Sequence, residues 1–164
     1  MIKKVLIVDD SRDIRKLVAL SLDFPNFKLS EAESAEQAFS LIKKEVPDLI
    51  VLDVMLAGKL NGFQLCKQLK NDPLYDKIKI ILLTAKGLLM DVQEGISAKS
   101  DAYMIKPFSP TVLQKKVDEL LHVDHLNMHS EEYRNAALSN AKSDATMDMC
   151  LRGSDQKKSN GFIS

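Results

Sequence analysis

The chain has 164 residues, and its 23 basic and 23 acidic side chains leave no formal net charge, which argues against a protein held on nucleic acid by phosphate contacts. Its two cysteines, Cys66 and Cys150, lack metal or redox spacing, so a disulfide scaffold is not expected and a reducing compartment is. No apolar run approaches the roughly 18 residues of a membrane-spanning helix, and the short one after Lys3 and Lys4 ends in two acids rather than a cleavage site; the expectation is a soluble, cytoplasmic protein with no membrane insertion.

The first strand is Val5–Val8, and it runs straight into Asp9 and Asp10. Adjacent carboxylates repel, and each raises the other's pKa. A divalent cation, a Lys or Arg, or exposure at the strand end must offset that cost. Ser11 is placed to cap a helix with the apolar stripe Ile14, Leu17, Val18 and Leu22. Phe27–Ser30 reads as a weaker strand. Ser34 and Gln37 hold the capping-box positions of a second helix, whose stripe is Ala35, Ala38, Phe39 and Ile42. Leu49–Leu52 is the third strand, ending at Asp53. Asn61-Gly62 precedes a third helical stripe of Phe63, Leu65, Cys66 and Leu69. Ile78–Leu83 is the fourth strand, ending at Thr84. Leu88–Ala98 is the fourth and least regular helical segment. Ala102–Ile105 is a fifth, weak strand, ending at Lys106-Pro107. Ser109 and Pro110 open the last helix, with Val112, Leu113, Val117, Leu120 and Leu121 on its apolar face.

Strand and helix thus alternate five times, and the strands are apolar on both sides of the pleat. That pattern implies a doubly wound α/β domain over residues 1–122, with a five-stranded parallel sheet and right-handed crossovers. Residues 123–164 read differently, as a polar tail, largely disordered, with a short helix over 130–142. From His122 onward there are five Lys or Arg and six Asp or Glu, with no recognition-helix pattern, so direct DNA binding is not expected. His122, His125 and His129 would share one face with Asp118 if the last helix continued. A zinc or nickel site spread along an exposed helix rarely closes, and a solvated helix end is the preferred reading.

Five polar residues end the strands: Asp9 and Asp10, then Asp53, Thr84 and Lys106. Singly, each has an ordinary explanation as a cap, a turn former or a solvated charge. Together they lie at the carboxyl edge of a parallel sheet, where ligands bind at the point of reversing strand order. With order 2-1-3-4-5, Asp53 would meet Asp9 and Asp10 across that point. Three carboxylates suit Mg²⁺, which takes oxygen ligands and keeps several waters. A cation site with a lysine and a hydroxyl beside it is equipment for phosphoryl transfer, and Asp53 is the candidate nucleophile.

At this point the sequence resembles the receiver domain of two-component response regulators. The resemblance rests on LIVDDS at 6–11, EAESAEQAF at 31–39, PDLIVLDVM at 47–55, NGFQL at 61–65, ILLTA at 81–85 and DAYMIKPF at 101–108. It covers residues 1–122 and implies the flavodoxin-like order 2-1-3-4-5. It also implies that Asp53 accepts a phosphoryl group from the phosphohistidine of a sensor histidine kinase or a phosphotransfer protein. By the same resemblance, Asp10 and Asp53 ligate Mg²⁺ directly, Asp9 acts largely through water, and the Met55 carbonyl completes the protein ligands. Thr84 and Lys106 would contact the phosphoryl oxygens, Thr84 and Tyr103 would form the switch, and the Lys106–Pro107 bond would be cis.

Three departures from the family pattern stand out. Ala57 occupies a position usually held by Pro, the 57–60 loop is one residue longer, and Lys99 replaces a usual Gly four residues before Tyr103. If the backbone at Lys99 has positive φ, the side chain costs roughly 1 kcal/mol. Met55 and Lys86 would flank the path of attacking water, and neither orients water well, so slow self-dephosphorylation is expected. The expected output is a stand-alone receiver acting on a downstream protein target through a face including Leu88, Leu89, Met90 and Tyr103. A phosphorylation-dependent homodimer is a further expectation. The alternatives are a phosphorelay intermediate and, remotely, a haloacid-dehalogenase-type phosphatase. That last family needs a second acid two residues after its nucleophile, where this chain has Met55.

Overall fold

A computed structural model describes residues 1–85 and 96–122. The compact unit that carries them is Met1–Asp124. In chain order its elements are β1 (Lys3–Val8), α1 (Arg12–Ser21), β2 (Phe27–Ala32), α2 (Ala35–Lys44), β3 (Leu49–Asp53), α3 (Gly62–Asn71), β4 (Lys79–Thr84), β5 (Ala102–Ile105) and α4 (Pro110–Leu121). The five strands form one sheet in the order β2-β1-β3-β4-β5, and every pairing is parallel. This is the doubly wound, flavodoxin-like fold expected from the alternating pattern. Most of the segment expected as the fourth helix, with Leu88, Leu89 and Met90, lies outside the described residues, as do Lys86, His125 and His129.

The period-two apolar runs bury both faces of the sheet. Leu6, Val8, Ile50, Leu52, Ile80 and Leu82 point to one side, where Ala38 and Ile42 of α2 and Leu65 and Leu69 of α3 cover them. Val5, Ile7, Leu49, Val51, Ile81 and Leu83 point to the other, against Val18 of α1 and Leu113, Val117 and Leu121 of α4. Each large aliphatic side chain so enclosed contributes roughly 1.5–3 kcal/mol. Every residue of β3 is buried, as its central place requires.

Local signals start the helices. Ser11 Oγ accepts from the Ile14 amide at the start of α1. Asn61 and Gln64 form a full capping box on α3, each side chain accepting from the other's backbone N–H at 2.9 Å. On α2, Ser34 caps the Gln37 amide, but Gln37 Oε1 accepts from the Glu33 amide, one residue outside the expected box. Ser109 occupies the N-cap of α4 without a side-chain capping bond, and Pro110 follows at the first turn. The helix α4 stops at Leu121 because His122 takes a left-handed conformation, φ 52°. Of the three histidines only His122 is among the described residues, and Asp118, which was to share their face, is buried.

Candidate functional site

The strand register brings the polar ends together. Val8 pairs with Leu52 of β3, Asp53 with Leu83 of β4, and Thr84 with Ile105 of β5. The next residue along each of β1 and β5 is then Asp9 or Lys106, so the carboxyl edge carries Asp9, Asp10, Asp53, Thr84 and Lys106 in one row. Asp9, Asp53 and Thr84 are buried, while Asp10 is exposed.

One carboxylate oxygen from each of Asp9, Asp10 and Asp53 lies within 4.8 Å of the others. Such an all-oxygen cluster fits a hard divalent cation with room for water ligands. The Lys106 ammonium sits beside it, 2.6 Å from Asp9 Oδ2 and 3.2 Å from Asp53 Oδ1. Asp9 Oδ1 accepts from the Ser11 amide at 2.9 Å, so both Asp9 oxygens already have protein donors. The Met55 amide donates to Asp53, while the Met55 side chain is exposed.

Burial, and then the neighbouring Asp9 charge, push the Asp53 carboxyl above the usual carboxylate range, against the pull of Lys106. Burial would lower the Lys106 ammonium, but Asp9 and Asp53 outweigh it and hold the lysine above its ordinary value. The site therefore stores excess negative charge that one lysine only partly offsets.

Two features hold Asp53 in place. The amide of Gly62 donates to the Val54 carbonyl at 3.1 Å, which seats the start of α3 on the end of β3. A Cβ at Gly62 would lie 2.1 Å from the Asp53 carbonyl oxygen, so only glycine permits this approach. The longer 57–60 loop leaves that seat intact. It closes with Gly58 at φ 129°, close to the Glu36 carboxylate, and with Leu56 buried.

Thr84 ends β4, and its carbonyl accepts from the Lys106 amide at 2.6 Å. The Lys106–Pro107 bond is cis, as the resemblance implied, and Lys99 has φ 60°, which meets the condition under which its side chain carries a cost. Tyr103 lies on β5 opposite Leu82 and packs on the α2–α3 side of the core. Its hydroxyl oxygen is buried with no hydrogen-bond partner among the described residues.

Sequence reasoning passed over Arg15 and Asp101. Arg15 Nη1 donates to the Asp9 carbonyl at 2.8 Å and to the Asp10 carbonyl at 3.4 Å, and its Nε donates to Glu31 at 3.0 Å. Asp101 accepts from Lys70 at 2.6 Å, from the Ile80 amide at 2.9 Å and from Lys79 at 3.2 Å, at the opposite edge of the sheet. The partners of Arg15 lie 5, 6 and 16 positions away and those of Asp101 lie 21 or more away, none at a capping or i,i+4 spacing, so no motif announced them.

A parallel sheet of order 2-1-3-4-5 with three acids, a hydroxyl and a lysine at its switch point defines a doubly wound α/β domain with an acidic site at its carboxyl edge. Residues 5–118 match the family model of the response regulator receiver domain, and the chain belongs to that family. It is 41% identical over 119 residues to the phosphate regulon transcriptional regulatory protein PhoB of Pseudomonas aeruginosa, covering 73% of this chain and 52% of that one. It is 38% identical over 135 residues to the alkaline phosphatase synthesis transcriptional regulatory protein PhoP of Bacillus subtilis, covering 82% and 55%. The chain thus spans about half the length of these curated relatives. Among solved structures, the chemotaxis response regulator CheY4 of Vibrio cholerae superposes with a TM-score of 0.67 at 28% identity, over 73% of this chain and 99% of that one.

Members of this family are signalling switches of two-component systems rather than turnover enzymes. That assignment replaces the phosphatase alternative. Among the described residues no helix is long and apolar enough to cross a membrane.

Proposed function

We propose that the chain is a phosphorylation-activated switch in which Asp53 takes a phosphoryl group from the phosphohistidine of a histidine kinase or phosphotransfer protein. The observation that carries this reading is the placement of Asp53. It is only 4% exposed, 3.2 Å from the Lys106 ammonium, with two further carboxylates within 4.8 Å. An Asp53 oxygen attacks phosphorus, the P–N bond breaks, and the imidazole leaves with its bonding pair. Lys106 neutralises a phosphoryl oxygen and Thr84 donates a hydrogen bond to another.

Asp10, Asp53 and the Met55 carbonyl are the proposed protein ligands of Mg²⁺. That Asp9 already accepts from Lys106 and Ser11 supports a water-mediated role for it. Bound Mg²⁺ supplies charge neutralisation at the phosphoryl oxygens. Thr84 moves toward the phosphoryl group, and Tyr103, whose buried hydroxyl has no partner among the described residues, repacks with it. The signal then passes to a downstream protein by contact, with a phosphorylation-dependent homodimer as one form of it.

Intact mass after incubation with Mg²⁺ and acetyl phosphate tests the reading. One phosphoryl adduct on the wild type, absent from Asp53→Asn and from an EDTA control, is expected. An adduct that survives Asp53→Asn overturns the choice of nucleophile.

A further inference from the structure

The loop that carries the adjacent acids is held from behind by one side chain. Arg15 stands on the first turn of α1, and its Nη1 reaches the backbone carbonyls of Asp9 and Asp10, at 2.8 and 3.4 Å. Its Nε is fixed by Glu31 Oε2 at 3.0 Å. Glu31 belongs to β2, where it pairs with Ile7 of β1. The guanidinium side chain is only 13% exposed. The two carbonyls it takes belong to the two adjacent acids of the cluster. Beyond Asp9, whose amide still joins the ladder by donating to Ala32 at 3.2 Å, the backbone leaves the sheet.

We infer that Arg15, aligned by Glu31, is a positioning residue for the acidic cluster: it fixes the Asp9–Asp10 backbone so that both carboxylates converge before any cation arrives. This rests on reading the cluster as the Mg²⁺ site. The exposed Asp10 gains most, because little else orders it. A carboxylate free to turn into water must be ordered on binding, and ordering it beforehand removes that cost from the affinity. The planar fork matters, since a single ammonium cannot reach both carbonyls and Glu31 in fixed directions.

Positioning and charge make opposite predictions. If Arg15 acted only through its charge, removing it would leave the cluster more negative and tighten Mg²⁺. If it positions the loop, removing it weakens Mg²⁺ even though the net charge becomes more favourable.

The experiment is a Mg²⁺ titration of the ¹⁵N-labelled full chain, followed at the amides of residues 9–11, for wild type, Arg15→Ala and Arg15→Lys. Urea unfolding without Mg²⁺ shows that each variant is folded. Arg15→Ala is expected to weaken Mg²⁺ about tenfold, in line with the loss of an outer-shell partner. Arg15→Lys, which keeps the charge, should lose the larger part of the same factor. Equal or tighter binding by Arg15→Ala overturns the inference. Should Arg15→Ala not fold, wild-type affinity in Arg15→Lys overturns it instead. A wild type that binds no Mg²⁺ overturns the reading of the cluster itself, which is a different failure.

Discussion

The Lys106 ammonium lies 2.6 Å from Asp9 Oδ2 and 3.2 Å from Asp53 Oδ1, so one cation from the end of β5 is shared by buried carboxylates from the ends of β1 and β3. Two buried negative charges against one positive leave the site unbalanced without a metal. That imbalance costs stability, and it is also what draws a cation and then a phosphoryl group.

Asp53→Asn is therefore expected to stabilise the metal-free protein. The folded state holds the Asp53 carboxyl above its ordinary value, mainly by burial and then by Asp9. A carboxyl raised on folding costs stability when ionised, and the cost vanishes as pH falls through the folded pKa. At pH 7 the neutral amide removes it, a gain of roughly 1 kcal/mol in urea unfolding. Added Mg²⁺ should shrink the difference, because it stabilises the wild type more. A destabilised Asp53→Asn in EDTA would contradict this account.

Gly62→Ala should disrupt the site from behind. The added Cβ would meet the Asp53 carbonyl oxygen at 2.1 Å and Val54 Cα at 2.8 Å, both backbone atoms. Relief requires α3 to lift from β3 or the strand end to shift. A loss of about 3 kcal/mol is expected, together with slower labelling by acetyl phosphate at equal folded fraction. Unchanged labelling would show that the loop absorbs the shift.

Lys99→Gly tests the strain at the turn before β5. Lys99 holds φ 60°, and among the described residues its ammonium makes one exposed contact, with Asn71 Oδ1 at 3.3 Å. A non-glycine residue there costs about 1 kcal/mol. The glycine variant should be more stable by up to about that amount, read as a higher urea midpoint with the same m-value.

Asp101 gives the fold a defined acid sensitivity. Its burial would raise the carboxyl, but hydrogen bonds from Lys70, the Ile80 amide and Lys79 outweigh it and hold the group below the usual range. A carboxyl lowered on folding adds stability above its unfolded pKa, about 3.9, and loses it as pH falls through the lower folded value. Asp101→Asn should cost about 2 kcal/mol at pH 7. Unfolding curves of variant and wild type should converge as pH falls below 3.9. A constant difference across that range would assign the loss to packing instead.

Much of the fold was legible because its signals are local. Apolar runs that bury both faces of the pleat marked the strands. Ser11 and Asn61 marked helix starts, and acids or a lysine ended the strands at one edge. The site followed once parallel pairing was inferred, since parallel strands place all their carboxyl ends together. Where local signals competed, they failed in detail: Gln37 bonds the Glu33 amide and Ser109 makes no capping bond, whereas the expected helix end at His122 is where the chain turns left-handed.

By itself, then, the order of residues determined the alternation of elements, the row of polar strand ends and the family motifs, because each depends on neighbours a few positions apart. Only the tertiary structure decided which atoms meet. Lys106 reaches Asp9 across 97 positions of chain, and Arg15 reaches Glu31 across 16. The clearance that demands glycine at position 62 exists only where α3 lies on the end of β3. Such contacts are set by packing of whole elements against a shared core, and no local motif marks their partners.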